Sequence, residues 1–184
     1  MNTIVTSREA ILEVSRNLIQ TQGWTAINIR TVASHCGVAV GSIYNYFGSK
    51  SDLVAATIES VWCDIFHFSN QETFPTFLSC VEWIYECMEK GEEKYPHFFT
   101  LHSMSFLEEE KSKGQQLMKQ AWEHIKHSLY IVLLQDKTVR SNAFGEDFSE
   151  HQFVDLVFSL ILSALLQHNY DNSVVLEMIK RCIY

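Results

Sequence analysis

Apolar side chains recur every three to four positions along most of the chain, a period that builds amphipathic helices rather than strands. Ile11, Val14, Leu18 and Ile19 line one face of a first helix that Ser7 can cap and that stops near Gly23. A short second helix carries Ile29, Val32, Ala33 and Cys36 on one face. Asn28 caps its start, and Gly37, free to turn left-handed, ends it. A third short helix spans about 39–46 and closes at Phe47-Gly48. Ser49 or Ser51 caps a long fourth helix reaching about residue 68. Beyond the turn signal at Phe74-Pro75, the pattern predicts a helix over 76–90. Gly91 and Pro96 then punctuate the chain, and a short helix runs to Met104. Glu108, Glu109 and Glu110 suit the positive end of another long helix, ending near Leu134. Residues 135–149 form a loop, and the last two helices cover 150–168 and 172–183. Ser149 and Gln152 give the first of these a cap that looks one position tight and therefore weak. The expected fold is all-α with about nine helices: a helix-turn-helix head over 1–48 and a helical-bundle body over 49–184.

Composition agrees with this division. Only 2 Pro and 7 Gly interrupt 184 residues, and 47% hydrophobic content is enough for a sizeable core. The formal charge of −8 is divided unevenly. Arg8, Arg16, Arg30 and Lys50 against Glu9 and Glu13 give the first fifty residues +2, which leaves −10 for the rest. A module that tolerates phosphate thus precedes an acidic body that does not. Five cysteines without a C-x-x-C pair, and the lack of a signal-peptide pattern, suggest free thiols in a reducing cytoplasm. The most apolar run, 153–166, falls short of the roughly 20 residues of a membrane span, so no membrane role is expected.

Candidate chemistry concentrates in residues 28–47. Two short helices joined at Gly37 make a helix-turn-helix, with Ile29, Val32, Ala33, Val38, Ile43 and Phe47 able to bury together. The other face of the third helix is short-chained at Ala39, Gly41 and Ser42, which lets its backbone approach a DNA groove closely. Tyr44 and Tyr46 offer hydroxyls to phosphates or base edges. Lys50 opens the next helix, where backbone N–H groups already favour a phosphate.

The run Val32-Ala33, Cys36-Gly37-Val38, Gly41-Ser42-Ile43-Tyr44-Asn45-Tyr46-Phe47 and Ser49-Lys50-Ser51-Asp52-Leu53 resembles the N-terminal signature of the TetR repressor family. Arg8, Ile11-Leu12, Gly23-Trp24 and Asn28-Ile29-Arg30 precede it in register. The resemblance covers about residues 7–55 and implies a DNA-binding head followed by a divergent ligand-binding and dimerisation body. By position, it implies that Asn28, Arg30 and Thr31 touch the DNA backbone or a base. Val40, Gly41, Ser42, Tyr44 and Tyr46 would lie on or beside the groove, and Lys50 would bind phosphate. Ala39 stands where the family often has Ser or Thr, Cys36 where it has Ala, Tyr46 where it has His, and Asn28 where it has Thr. Ala39 thereby loses a phosphate-binding hydroxyl.

In the body, aromatic residues between helices suggest a concave apolar site, which the resemblance implies is an inducer pocket. Its expected lining is Trp83, Phe98, Phe99, His102, Phe106, Trp122, His127 and Tyr130. An intrahelical bridge between Cys80 and Cys87 is implausible across two turns. His124 and His127 share a helix face without an identifiable third ligand, so neither metal nor cofactor is expected. Catalysis is not expected either, for no G-x-S-x-G, H-E-x-x-H or phosphate-binding glycine loop occurs.

Because residues 153–166 are apolar nearly all round, they need a partner beyond the monomer's own core. The expected homodimer interface comprises Phe153, Val157, Leu160, Ile161, Ala164, Leu165, Val175, Met178 and Ile179, forming a two-fold four-helix contact. The function expected is a ligand-responsive transcriptional regulator, most simply a repressor. Its partners would be operator DNA, a second copy of itself and an unidentified small effector that shifts the fourth helix. The alternative is a helix-turn-helix protein acting through protein partners, as a coactivator or nucleoid-associated factor.

Overall fold

The computed structural model describes residues 6–66, 73–99 and 113–184. Eight α-helices occur among them: α1 (Arg8–Gln22), α2 (Ile29–His35), α3 (Val40–Tyr44), α4 (Lys50–Ile65), α5 (Phe77–Lys94), α6 (Lys113–Gln135), α7 (Glu150–Gln167) and α8 (Ser173–Ile183). A single 3₁₀ turn, Trp24–Ala26, links α1 to α2. Among the described residues no strand forms. The nearest approach to one is an isolated bridge between Gly145 and Phe148 in the loop before α7. No helix among them is long and apolar enough to cross a membrane. The proposed helix through Met104 and the acidic start at Glu108–Glu110 lie outside the described residues, although Phe98 and Phe99 carry helical backbone.

These residues divide into two compact units, one comprising 6–66 with 91–98 and the other 73–90 with 99 and 113–184. In the first, α1 packs against α4 and α2 against α3. Ile11, Leu12, Leu18, Ile29, Val32, Ile43, Phe47, Leu53 and Val61 form its core. In the second, α6 packs against α7, and Phe77, Val81, Ile84, Met88, Leu129, Leu133, Phe153, Val157 and Ile179 are buried. Phe77, Val81, Ile84 and Met88 keep the three-to-four spacing that makes α5 amphipathic.

Two local expectations are corrected. The helix predicted to stop at Lys90 continues through Gly91 to Lys94. A Cβ at Gly91 would lie 2.8 Å from Cγ2 of Ile65, so glycine serves close packing there rather than ending the helix. The cap of α7 is also stronger than its spacing suggested. Gln152 N–H donates to Ser149 Oγ at 3.3 Å, and Ser149 N–H donates to Gln152 Oε1 at 2.8 Å, a complete reciprocal capping box.

The second unit is tied together by a buried carboxylate. Asp136, just past α6, accepts from the N–H of Phe77 at 2.8 Å, from Thr138 N–H at 2.9 Å, from Thr138 Oγ1 at 2.6 Å and from the Tyr184 hydroxyl. Burial alone would raise its pKa. The bonds from Thr138, Tyr184 and Phe77 outweigh burial and hold the carboxyl below the usual range.

Candidate nucleic-acid interface

The head is punctuated by side chains that satisfy helix ends. Ser7 Oγ accepts from Ala10 N–H at 3.1 Å and starts α1. Asn28 Oδ1 accepts from Thr31 N–H at 3.0 Å and starts α2, while its Nδ2 donates to Thr31 Oγ1 at 2.8 Å. Asn28 and Thr31 therefore bind each other. Gly37 sits at φ +67, the left-handed conformation that the turn between α2 and α3 requires. Val38 N–H then returns to Ala33 C=O at 3.0 Å. Ser49 starts α4 by accepting from Asp52 N–H at 3.1 Å, which places Lys50 at that helix's first position, exposed.

Helix α3 has no side-chain cap at Ala39. It is held instead by Ile43 and Phe47, both buried, with the Arg8 guanidinium 5.5 Å above the Phe47 ring. Its opposite side is presented outward: Val40 is 40% exposed and Tyr44 50%. Gly41 and Asn45 are exposed beside them, Ser42 is half-buried, and Arg30 is exposed on α2. Tyr46 is also exposed, but its hydroxyl donates to Thr6 C=O at 2.5 Å. That bond to the N-terminal segment was not foreseeable from spacing, since it joins residues forty apart. It commits the phenol's proton to the chain and leaves only acceptor capacity for another partner.

Phe98 belongs to the first unit. Its ring lies 6.2 Å from that of Trp24, 5.7 Å from Trp62 and 6.3 Å from Tyr95. Tyr95 donates its hydroxyl to Asp64 at 2.7 Å, and Lys94 pairs with the same carboxylate at 2.6 Å. In the second unit, Trp83 meets Phe74, Trp122 meets Phe158 edge-on, and Tyr130 stacks on His151 with centroids 3.9 Å apart. Phe99 is buried, and His124 and His127 are exposed. His102 and Phe106 lie outside the described residues. Cys80 is buried, which pushes its thiol up to about 12 and keeps it protonated at neutral pH.

The residues expected at a dimer contact separate by exposure. Phe153, Val157, Ile161, Ala164, Leu165 and Ile179 are buried within the chain's own core, whereas Leu160, Val175 and Met178 are half-buried. Apolar side chains that do reach the surface of α7 and α8 are Leu156, Leu166 and Val174, at 45%, 54% and 77% exposure.

Residues 11–57, which cover most of α1, all of α2 and α3 and the first half of α4, match the family of bacterial regulatory proteins of the tetR type. Over 46 residues the chain is 39% identical to the HTH-type transcriptional regulator AlkX of Mycobacterium tuberculosis, a stretch covering 25% of this chain and 22% of that protein. It therefore spans only about a fifth of that relative's length. The fold is shared more widely. The reduced form of Escherichia coli NemR superposes with a TM-score of 0.65 at 17% identity, over 96% of this chain and 97% of that one. The transcriptional regulator FadR of Bacillus subtilis does so at 0.58 and 16%, over 88% and 86%. Gly37 at the turn, Ile43 and Phe47 beneath α3 and Tyr44 and Lys50 presented outward all fall in or beside the matched register, so residues 11–57 are similar to the N-terminal module of the tetR family of bacterial regulatory proteins.

Proposed function

We propose that the chain binds operator DNA as a homodimer and is released from it by a small, largely apolar effector held in the second unit. The observation that carries the DNA reading is the division of α3 into two faces. Ile43 is buried beneath it, while Val40 and Tyr44 are 40% and 50% exposed on the other side with Gly41 open between them. A dimer would set two such helices about 34–36 Å apart, in successive major grooves. Arg30 and Lys50, both exposed, suit the flanking phosphates.

For the dimer contact, the exposed Leu156, Leu166 and Val174, with half-buried Leu160, Val175 and Met178, are among the apolar groups that α7 and α8 do not fully bury internally. The effector site is assigned to the second unit's aromatics, Trp83, Phe99, Trp122 and Tyr130, with His127 as a polar point. Its chemistry follows from charge. Lys126 is already shared between Glu123 at 2.9 Å and Asp155 at 3.1 Å, so the acidic body has little to offer an anion there. For the apolar part of a ligand there is the precedent of the Bacillus subtilis FadR structure, determined with stearoyl-CoA, whose acyl chain is apolar and whose coenzyme A moiety is anionic.

The test is fluorescence anisotropy with labelled duplex from the DNA flanking the chain's own gene. Tyr44→Ala and Lys50→Ala should each weaken binding by about 1–3 kcal/mol, and affinity should fall steeply with salt. If the protein binds this DNA no better than unrelated duplex and neither substitution matters, the operator reading is wrong.

A further inference from the structure

From Gly37 to Tyr44 the chain reads Gly-Val-Ala-Val-Gly-Ser-Ile-Tyr, without Arg, Lys, Asn, Gln, Asp or Glu. Base edges in the major groove call for different side chains. Guanine O6 and N7 are met by Arg or Lys, and adenine N6 and N7 by Asn or Gln. The C5-methyl of thymine is met by apolar contact. Helix α3 thus offers neither the cation that reads guanine nor, within its own span, the amide that reads adenine. The nearest amide, Asn45, follows its last residue.

Val40 is the first residue of α3 and 40% exposed. Its branched side chain is stiff, so it presents methyl groups in a fixed direction. Tyr44 stands one turn further on the same side. At Gly41, between them, a Cβ would meet nothing within 4 Å, so no packing among the described residues demands glycine there. An exposed valine contributes little to starting a short helix, and a glycine beside it contributes less. Both choices suit a surface that must approach a base edge closely and make an apolar contact with it.

Resting on the operator-binding reading above, we propose that Val40 is a specificity-determining residue that reads the C5-methyl of one thymine in each operator half-site. Sequence is then recognised at that position by the burial of a methyl group rather than by a guanine-directed cation.

The experiment starts by selecting duplexes from a random library with the full chain. Each thymine of the selected half-site is then replaced by uracil, which removes the methyl and leaves the base-pairing edge unchanged. Affinities are measured for the native chain and for Val40→Ala, with thermal melting as a check that this surface substitution leaves the fold intact. Replacing the contacted thymine in one half-site should weaken native binding by about three- to fivefold, the effect of one methyl group left unburied. The same replacement should have a clearly smaller effect on Val40→Ala, whose single methyl group is shorter than the valine side chain. The proposal is overturned if no uracil replacement changes affinity, or if the loss persists undiminished in Val40→Ala. It is equally overturned if the selected half-sites are constrained only at G·C pairs. Failure to select any duplex is a separate result, which removes the operator reading and this proposal with it.

Discussion

Helix α3 has five residues and no side-chain cap, whereas α7 has eighteen and begins with a reciprocal capping box. Isolated helices shorter than about 12–15 residues are marginal in water, so α3 exists because Ile43 and Phe47 are buried against the rest of the head. Its outward residues then contribute almost nothing to folding and are free to serve recognition. Helix α7 carries its own start signal and a nearly continuous apolar surface, and most of that surface is spent on the core. What it leaves outside, Leu156 and Leu166, is a small remainder suited to a second copy. Exposure on α3 and exposure on α7 thus mean different things, and substitutions can separate them.

The largest effect should come from Phe47→Ala. Truncating a buried phenylalanine costs about 3–5 kcal/mol, and here it removes the anchor of α3 together with the ring beneath Arg8. Urea unfolding should show the loss, and operator binding should disappear. A cost below about 1 kcal/mol would mean that α3 does not depend on packing, and the contrast with α7 would collapse.

Next comes Asp136→Ala in the body, with an expected cost of about 2–3 kcal/mol because it leaves Phe77 N–H and the Tyr184 hydroxyl without their acceptor. The pH dependence has a definite sign. The folded carboxyl titrates below its unfolded value, so its contribution is fully present above the ordinary carboxylate range and is lost as pH falls through the lower, folded value. Acid unfolding of the native chain should therefore steepen below about pH 4, and part of that slope should vanish in Asp136→Ala. Identical acid limbs for the two chains would remove the carboxylate from the account.

What was readable in advance follows the range of the forces involved. Ser7, Asn28, Ser49 and Gly37 act on neighbours two to four positions away, so the starts of the head's helices could be placed from sequence nearly to the residue, whereas the third ends at Tyr44 rather than 46 and the fourth at Ile65 rather than about 68. Asp136 joins groups 59 and 48 positions apart, and Gly91 answers to Ile65 on another helix, so neither role leaves a local trace. Phe153 and Val157 show a related limit. An all-apolar helix must be covered, but hydrophobicity alone does not say whether by its own core or by a partner, and here the core takes them. The Phe98 ring packs with Trp24 and Trp62, contacts that its place in the sequence does not announce. The outward placement of Val40, Gly41 and Tyr44 on α3 was legible because it needs only a few residues at fixed spacing. The bond from Tyr46 to Thr6 was not.

A smaller effect sharpens the capping side of the comparison. Ser149→Ala should cost about 1 kcal/mol by removing the acceptor for Gln152 N–H. Ala39→Ser should give the opposite sign at α3. Ala39 already has the extended backbone of a cap residue, φ −67 and ψ 149, without a side-chain bond to the helix. A gain of a few tenths to about 1 kcal/mol in thermal melting is expected. If neither substitution changed melting, the two helix starts would not differ in the way their side chains indicate.

The finest test is Gly41→Ala, because stability and binding should move in opposite directions. Glycine inside a helix is less favourable than alanine by about 0.5–1 kcal/mol. Gly41 lies within α3 away from the left-handed region, and an added Cβ would meet no atom within 4 Å. The free protein should therefore melt higher once the methyl is present. Among the described residues nothing packs against this position, which fits the proposed approach of DNA from outside. A methyl pointing toward a groove wall keeps the helix backbone back from the bases, and operator affinity should fall even as the fold gains stability. Parallel melting and anisotropy measurements on this one variant decide the matter. Higher stability with unchanged affinity would show that DNA does not come close to α3 at this position, and lower stability would show that the helix needs its glycine for itself.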